Sequence, residues 1–453
     1  MVNPVANHNP GNISQTQHAD RRRTNAKYSG QYDDLRTRYT GTPIEVSFRE
    51  LVGPLPADEL THGIFPYPAR LLRQIPRMLL GAHGLVDGID YTIDPFCGSG
   101  TIPLESQTRH ILPIGFEQNP IGALISRVKT TPIDEASCAM TLGHVLATAK
   151  RSRKFGNYPA YLEKWYDDDS YSILSRLASE IASLPDNSTK DLLNVSFAVF
   201  CRRISIADRN IPVPVRDPAR KGKILKNATV WTIFEDVTNR IISKAAKVRT
   251  DLPASTIFNL DSREPETWKA LPRKKSGLLI TSPPYGAAQK YIRSTSLEAG
   301  WLGYASDRGT INLEKSSIGR EHLTSTENQD RIDQIPSRAL RNTLAKITKH
   351  NQQRGNIYTT YFLDMIDVFQ SANKSGAHIP RIAMIAGTNT AGQIYVDTRE
   401  FLASIVEETG YQRILSLRDP IRGRALLTRR RGTAVPALAE YIEIFETKAR
   451  IAG

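Results

Sequence analysis

Seven short apolar runs punctuate the chain, at residues 91–94, 112–117, 256–260, 277–281, 381–386, 412–417 and 441–446. Most are continuous rather than alternating, which is the pattern of strands buried on both faces of a parallel sheet. Helical spacing falls between them. Residues 102–109 open a helix after the first run. Residues 398–409 form another between the fifth and sixth, with Asp397 and Glu400 spaced as a capping box and Gly410 as the stop. Runs and helices alternating in this way predict an α/β protein built on a Rossmann-like, doubly wound sheet.

Two stretches interrupt the alternation. Residues 131–250 separate the second and third runs and carry three apolar stripes at helical spacing. These are Ile173, Leu174, Leu177 and Ile181; then Leu192, Val195 and Val199; then Val230, Ile233, Phe234, Val237 and Ile241. Ser188 and Asp191 are placed to cap the middle stripe. The stripes predict the core of a helical insertion lobe, and its basic, proline-containing segment 202–226 is a candidate for nucleic-acid contact. A second insertion, 293–350, is polar, rich in Arg, Ser, Thr and Asn, and follows the fourth run directly. Residues 1–40 carry Arg21-Arg22-Arg23 and little apolar surface, and predict a flexible basic arm. The sheet domain is therefore expected in two parts, 41–130 and 251–453.

With 453 residues, the chain suffices for one large domain and a lobe. The net charge of +14 favours a polyanionic partner, most simply nucleic acid. Cys97, Cys138 and Cys201 lie far apart and form no Cys-x-x-Cys pair. That argues against a structural zinc or a disulfide framework and suits a reducing cytoplasm; no metal is expected. No apolar run reaches about eighteen residues, so neither a membrane span nor export is expected.

The candidate chemistry sits at the ends of the runs. The fourth ends in Ser282-Pro283-Pro284-Tyr285. This string offers a hydroxyl, a rigid backbone carbonyl and an aromatic face, groups that suit an amino group on a flat heterocycle. Pro-Pro also marks ordinary turns. The first run ends at Asp94 and continues as Pro95-Phe96-Cys97-Gly98-Ser99-Gly100-Thr101, where Gly98 and Gly100 allow backbone to approach a ligand closely. The dinucleotide fingerprint wants a small third residue where this chain has Pro103, so the two glycines alone do not point to NAD. The second run ends at Glu117, placed to accept hydrogen bonds from both hydroxyls of a ribose. Asp94, Glu117, Asp261 and Ser282 all fall at the carboxyl edge of the expected sheet, where such sheets bind ligands.

Asp94-Pro95-Phe96-Cys97-Gly98-Ser99-Gly100-Thr101 together with Thr281-Ser282-Pro283-Pro284-Tyr285 resembles the amino-methylating DNA methyltransferases. Within them it looks most like the N4-cytosine enzymes of the Ser-Pro-Pro-Tyr type. Three further stretches share the likeness: His62-Gly63-Ile64-Phe65-Pro66-Tyr67-Pro68-Ala69-Arg70, Asn259-Leu260-Asp261, and Gly387-Thr388-Asn389 with the helix that follows. The likeness covers 60–130 and 255–450, and leaves 1–55 and most of 131–250 unmatched.

The resemblance implies a seven-stranded methyltransferase sheet whose last strand is antiparallel. It implies S-adenosylmethionine with its amino-acid part near Asp94, Phe96, Gly98, Gly100 and Tyr67, its ribose on Glu117 and its adenine on Asp261. It also implies double-stranded DNA as substrate. Ser282 and the Pro283 carbonyl would accept the amino N–H bonds of a flipped base, Pro284 would stiffen the loop, and Tyr285 would stack on the base. The setting it suggests is restriction-modification or defence in a prokaryote or phage, with a cognate restriction or defence component as partner. Here the cofactor motif precedes the catalytic one, unlike many N4-cytosine enzymes, and the long insertion precedes Asp261, so which insertion reads the target stays open. Adenine N6, an RNA base amino group, and a non-catalytic DNA-binding subunit remain as alternatives. C5-cytosine chemistry is rejected, because no cysteine follows a proline. Arg418, Arg422, Arg424, Arg429, Arg430 and Arg431 crowd the connection between the last two runs and are candidates to grip phosphates beside the flipped base.

Overall fold

All seven apolar runs are strands of one sheet. In the computed structural model, residues 15–56, 58–68, 70–220, 226–286, 291–327, 329–391, 393–421 and 439–448 are described. The strands are β1 (Ile44–Glu45), β2 (Tyr91–Asp94), β3 (Leu112–Phe116), β4 (Thr256–Phe258), β5 (Ser276–Thr281), β6 (His378–Gly387), β7 (Asn389–Ala391), β8 (Ile394–Val396), β9 (Tyr411–Pro420) and β10 (Ala439–Thr447). Eight of them form the central sheet in the order β1-β9-β10-β6-β5-β2-β3-β4. Every pairing in it is parallel except those of β10, which runs antiparallel to both β9 and β6. This is a Rossmann-like sheet of the methyltransferase type, widened by β1. The two-residue β1 and the separate β7–β8 hairpin are too short to leave a periodic signal.

The sheet is buried on both faces, which is why its strands read as continuous apolar runs. On β5, Leu278 and Ile280 enter one core while Leu279 enters the other. The second face is covered by helix Gln352–Lys374, which buries Tyr358, Tyr361, Phe362, Met365 and Phe369. The first face is covered in part by the N-terminal segment, and this corrects one expectation. Residues 15–38 form a helix, and Tyr28, Tyr32 and Leu35 are 4, 0 and 4 % exposed in the same core as Leu278 and Ile385. Three apolar residues at helical spacing make a stripe narrow enough to vanish in an otherwise polar composition. In its described part, the arm is a packed helix.

The insertion 131–250 is helical, with helices Glu135–Arg151, Asp168–Ala182, Ser188–Ile204 and Asn227–Ala245. Its expected stripes are buried except Val199 and Ile233, which are partly so. The cap of the third helix is Asn187, whose side chain accepts from the Lys190 N–H at 2.9 Å, one residue before the expected Ser188. The second insertion is less polar in space than in sequence. Its helix Ser296–Trp301 plants Trp301 among Tyr158, Tyr166, Tyr171 and Phe197 of the lobe, at ring separations of 4.8 to 6.0 Å. Its helix Arg338–His350 buries Leu340, Leu344 and Ile347 against helix Gln352–Lys374. Among the described residues, no helix is long and apolar enough to cross a membrane.

The packed N-terminal helix yields a direct test. Replacing fully buried Tyr32 by Ala should cost about 3–5 kcal/mol of stability, as large aromatic truncations do. Tyr32→Phe should cost nothing measurable, because the buried hydroxyl has no hydrogen-bond partner. Urea unfolding of both variants checks this; equal stability of Tyr32→Ala and the parent would restore the flexible arm.

Candidate active site

β2 and β5 are neighbours, and their carboxyl ends are joined by a side-chain hydrogen bond. Thr281 Oγ1 donates to Asp94 Oδ1 at 2.6 Å, with both residues buried. The same oxygen accepts the Phe96 N–H at 3.1 Å, which starts the loop after β2. Burial pushes the Asp94 carboxyl up to about 7 despite these two donors, and nearby Glu117 adds to the rise. Phe96 itself is partly buried and packs on the core that contains Tyr361.

The loop then makes two left-handed residues, Gly98 at φ +50° and Gly100 at φ +77°. At Gly100 a Cβ would lie 2.4 Å from Ser126 Oγ and 2.9 Å from Ser126 Cα, so only glycine lets helix Pro120–Thr130 pack this closely. At Gly98 a Cβ would meet only the Tyr67 ring at 3.8 Å and the Phe96 carbonyl at 3.9 Å, so the loop is open above it. Glu117 closes the far side. Its Oε2 accepts the Gly98 N–H at 2.8 Å and its Oε1 the Asn119 N–H at 2.7 Å. Burial raises its carboxyl to about 7. Asn119 caps helix Pro120–Thr130 and donates from Nδ2 to the Tyr67 hydroxyl at 3.1 Å. Tyr67, Gly98, Glu117 and Asn119 thus form one cradle.

Asp261 lies on the rim beyond Glu117. Its Oδ2 accepts from Gln118 Nε2 at 3.0 Å and Arg263 Nη2 at 2.6 Å; its Oδ1 accepts the Arg263 backbone N–H at 3.0 Å and Arg263 Nε at 3.1 Å. Asn259 Nδ2 bridges to the carbonyls of Glu117 and Gln118 at 2.7 and 3.0 Å, holding the β4 loop against the cradle.

The loop 282–285 is backed from three sides. Asn389 Nδ2 donates to the Gly286 carbonyl at 3.0 Å. The Tyr361 ring stands where a Cβ on Gly286 would lie 3.0 Å away. Gly319, left-handed at φ +78°, packs so close that a Cβ on it would lie 2.9 Å from the Tyr285 carbonyl oxygen. Ser282, Pro284 and Tyr285 keep partial exposure, while Pro283 is buried. Burial lifts the Tyr285 phenol well above its ordinary value, and the Glu440 carboxylate adds to the rise. Glu440 stands beside Asp419 on the neighbouring strand, and burial followed by that neighbour raises it to about 7.

Burial lifts the Tyr291 phenol well above its ordinary value, an effect that the nearby Tyr285 backbone opposes and Glu117 adds to. Loops 94–100 and 282–285 leave adjacent parallel strands at the same sheet edge, and the space between them is the candidate cleft. Sequence reasoning assigned no role to Tyr291, Gly319 or Asn119. Of these only Asn119, followed by Pro120, carries a readable signal, that of a helix cap with proline in the first turn.

The expected arginine cluster is only partly visible. Arg418 lies on β9 and ion-pairs with Glu45 of β1, three strands away from β5 and outside the cleft. Its partner was not foreseeable, because the two-residue β1 was not. Arg422, Arg424, Arg429, Arg430 and Arg431 lie outside the described residues. The connection that carries them leaves at Pro420 and returns at Ala439, paired residues at the same sheet edge as Ser282. Among the described residues no group of three or more His, Cys, Asp or Glu is placed to hold a metal. A cavity of about 260 Å³ exists beside Tyr28, Arg77 and Arg109, under the N-terminal helix and not at this cleft.

No family model matches the chain. Over 331 residues it is 22% identical to the type II methyltransferase M.MvaI of Kocuria varians, spanning 68% of this chain and 72% of that protein. A 73-residue stretch is 37% identical to the type II methyltransferase M.MjaII of Methanocaldococcus jannaschii, 16% of this chain and 13% of the relative. The solved rRNA methyltransferase AviRa from Streptomyces viridochromogenes aligns with 88% of this chain and 96% of its own, at TM-score 0.31 and 11% identity. At that score the likeness is loose, and the fold is defined by the strand order itself. Strand order and cleft define a methyltransferase-type architecture. The similarity to two type II methyltransferases supports a methyltransferase.

Proposed function

We propose that this chain is an S-adenosylmethionine-dependent methyltransferase acting on the exocyclic N4 amino group of cytosine in double-stranded DNA. The observation that supports this most is the junction of the two loops: 94–100 and 282–285 leave adjacent parallel strands, tied by the Thr281–Asp94 bond.

The residues present fit this cofactor. The turn is open above Gly98, and Glu117 has lone pairs beyond those taken by the Gly98 and Asn119 N–H groups. S-adenosylmethionine supplies, when bound, a methyl group made electrophilic by its sulfonium, so no metal is needed. Tyr67 and the loop at Gly98 bracket the amino-acid part, Glu117 takes the ribose hydroxyls and Asp261 the adenine amino group.

The acceptor nitrogen shares its lone pair with the ring and is a poor nucleophile. Ser282 Oγ and the Pro283 carbonyl each accept one of its N–H bonds, turning the nitrogen toward tetrahedral geometry and its lone pair toward the cofactor side. The rate gain comes chiefly from holding two reactants in line, with stabilisation of the developing positive charge second. Serine is a weak base, so the proton the nitrogen sheds passes to water. Tyr285 stacks on a base that has left the duplex, since a stacked base cannot reach the cleft. DNA as substrate is supported by the net charge of +14, and cytosine by serine rather than an acid or amide at 282. The arginines of the 421–438 connection grip flanking phosphates. The type II naming of both relatives supports a restriction-modification setting with a cognate nuclease.

Mass spectrometry of nucleosides from cells expressing the chain tests the assignment. N4-methylcytosine should accumulate in DNA with the intact protein and disappear with Ser282→Ala. N6-methyladenine would move the target to adenine, and a methylated base confined to RNA would move the substrate. No methylated base and no cofactor binding would leave a DNA-binding subunit.

The raised carboxyl of Glu117 makes a separate prediction. Above about pH 7 it is a carboxylate with both oxygens accepting. Below that a proton occupies an acceptor position that the ribose needs. Cofactor affinity should therefore weaken as pH falls through 7 toward 5, by up to about tenfold per pH unit for one proton, and stay level above 8. Glu117→Gln should remove most of this dependence, as calorimetric titration would report.

A further inference from the structure

Asp364, on helix Gln352–Lys374, is 6 % exposed and is shared by two guanidinium groups, one bound to Asp261 on the rim and one beside the turn that backs loop 282–285. Its Oδ1 accepts from Arg263 Nη1 at 3.0 Å, and Arg320 Nη1 donates to its Oδ2. Arg263 reaches from the same position to Asp261 on the cofactor rim and, through Nη2, to the Ser316 carbonyl at 2.6 Å. Arg320 is 7 % exposed, also binds Glu327 and the Ser317 carbonyl, and follows Gly319, whose backbone lies against the Tyr285 carbonyl. One buried carboxylate thus stands between the adenine end of the cofactor site and the turn that backs the base-binding loop.

The occupancy of Asp261 gives this arrangement a direction. Its two oxygens already accept from Gln118 Nε2, the Arg263 backbone N–H and the Arg263 guanidinium, which fills the lone-pair positions a carboxylate offers. An adenine amino group can reach Asp261 only by displacing one of these donors. The Arg263 guanidinium is the donor with a second carboxylate at hand. We propose that Asp364 is a positioning residue that receives Arg263 when the cofactor's adenine engages Asp261. The shift draws on Ser316 and secures the Gly319–Arg320 turn, which already packs on the Tyr285 carbonyl, so that cofactor binding firms the base-binding loop before DNA arrives. This rests on the cofactor reading given above.

Hydrogen exchange of the full chain, with and without S-adenosylhomocysteine as probe, tests it. In the parent, the ligand should slow amide exchange at 94–119 and also, by at least about fivefold, in peptides covering 282–286 and 316–327, because local opening there is suppressed. Asp364→Asn keeps the side-chain shape but removes the charge that attracts Arg263. It should retain ligand protection at 94–119 and lose it at 282–286 and 316–327. Arg320→Lys, which keeps the charge but not the two-pronged contact, should behave alike and serves if Asp364→Asn does not fold. Remote protection that is absent in the parent, or that persists in both variants, overturns the proposal. Absence of protection at 94–119 in the parent would instead overturn the cofactor reading on which it depends.

Discussion

The hydrogen bond from Thr281 Oγ1 to Asp94 Oδ1 is the constraint on which the site depends. It lies between the tips of adjacent parallel strands, is 2.6 Å long and is shielded from water. A carboxyl this deeply buried must find donors, and an unmade bond there would cost on the order of 1–3 kcal/mol. Asp94 takes one donor from its own loop, at Phe96, and one from the residue that precedes Ser282. The turn that opens toward a cofactor and the loop that presents a hydroxyl and an aromatic face are thereby held in fixed relation.

The insertions take on meaning around that junction. Tyr67, which covers the Gly98 turn, and Trp301, which follows loop 282–285 in the chain, belong to the same hydrophobic cluster as the core of the helical lobe. The core of the lobe thus runs on to the residue that covers the Gly98 turn. On the opposite side, helix Gln352–Lys374 supplies Tyr361 behind Gly286 and Asp364 behind Arg320. Segments that look like additions to a sheet in the sequence form the walls of the site in space.

What could be read from the sequence follows from where the information lies. The strands were legible because burial on both faces forces continuous apolar runs, as at Leu278, Leu279 and Ile280. Glu117, Gly98, Gly100 and the 282–285 string were legible because each is a local feature at a strand end. The helix 15–38 was not, since Tyr28, Tyr32 and Leu35 are a thin stripe in a polar segment. Tyr291, Gly319 and Asp364 were not, because their roles exist only through distant contacts. Asp364 is 44 residues from Arg320 and 101 from Arg263, and nothing in its own neighbourhood marks it. The pairing of Arg418 was hidden for the same reason, its partner Glu45 lying 373 residues away.

Methyl transfer requires the two loops to serve one reaction coordinate. The most direct measurement is the affinity of a bisubstrate compound in which the sulfur-bearing half of the cofactor is joined by a short methylene bridge to the amino nitrogen of cytosine, compared with its separate halves. A single cleft spanning Gly98 and Tyr285 predicts binding at least about a hundredfold tighter than S-adenosylhomocysteine alone, because the second half engages without a second loss of freedom. Binding no tighter than the cofactor half, with cytosine left in solvent, would contradict it.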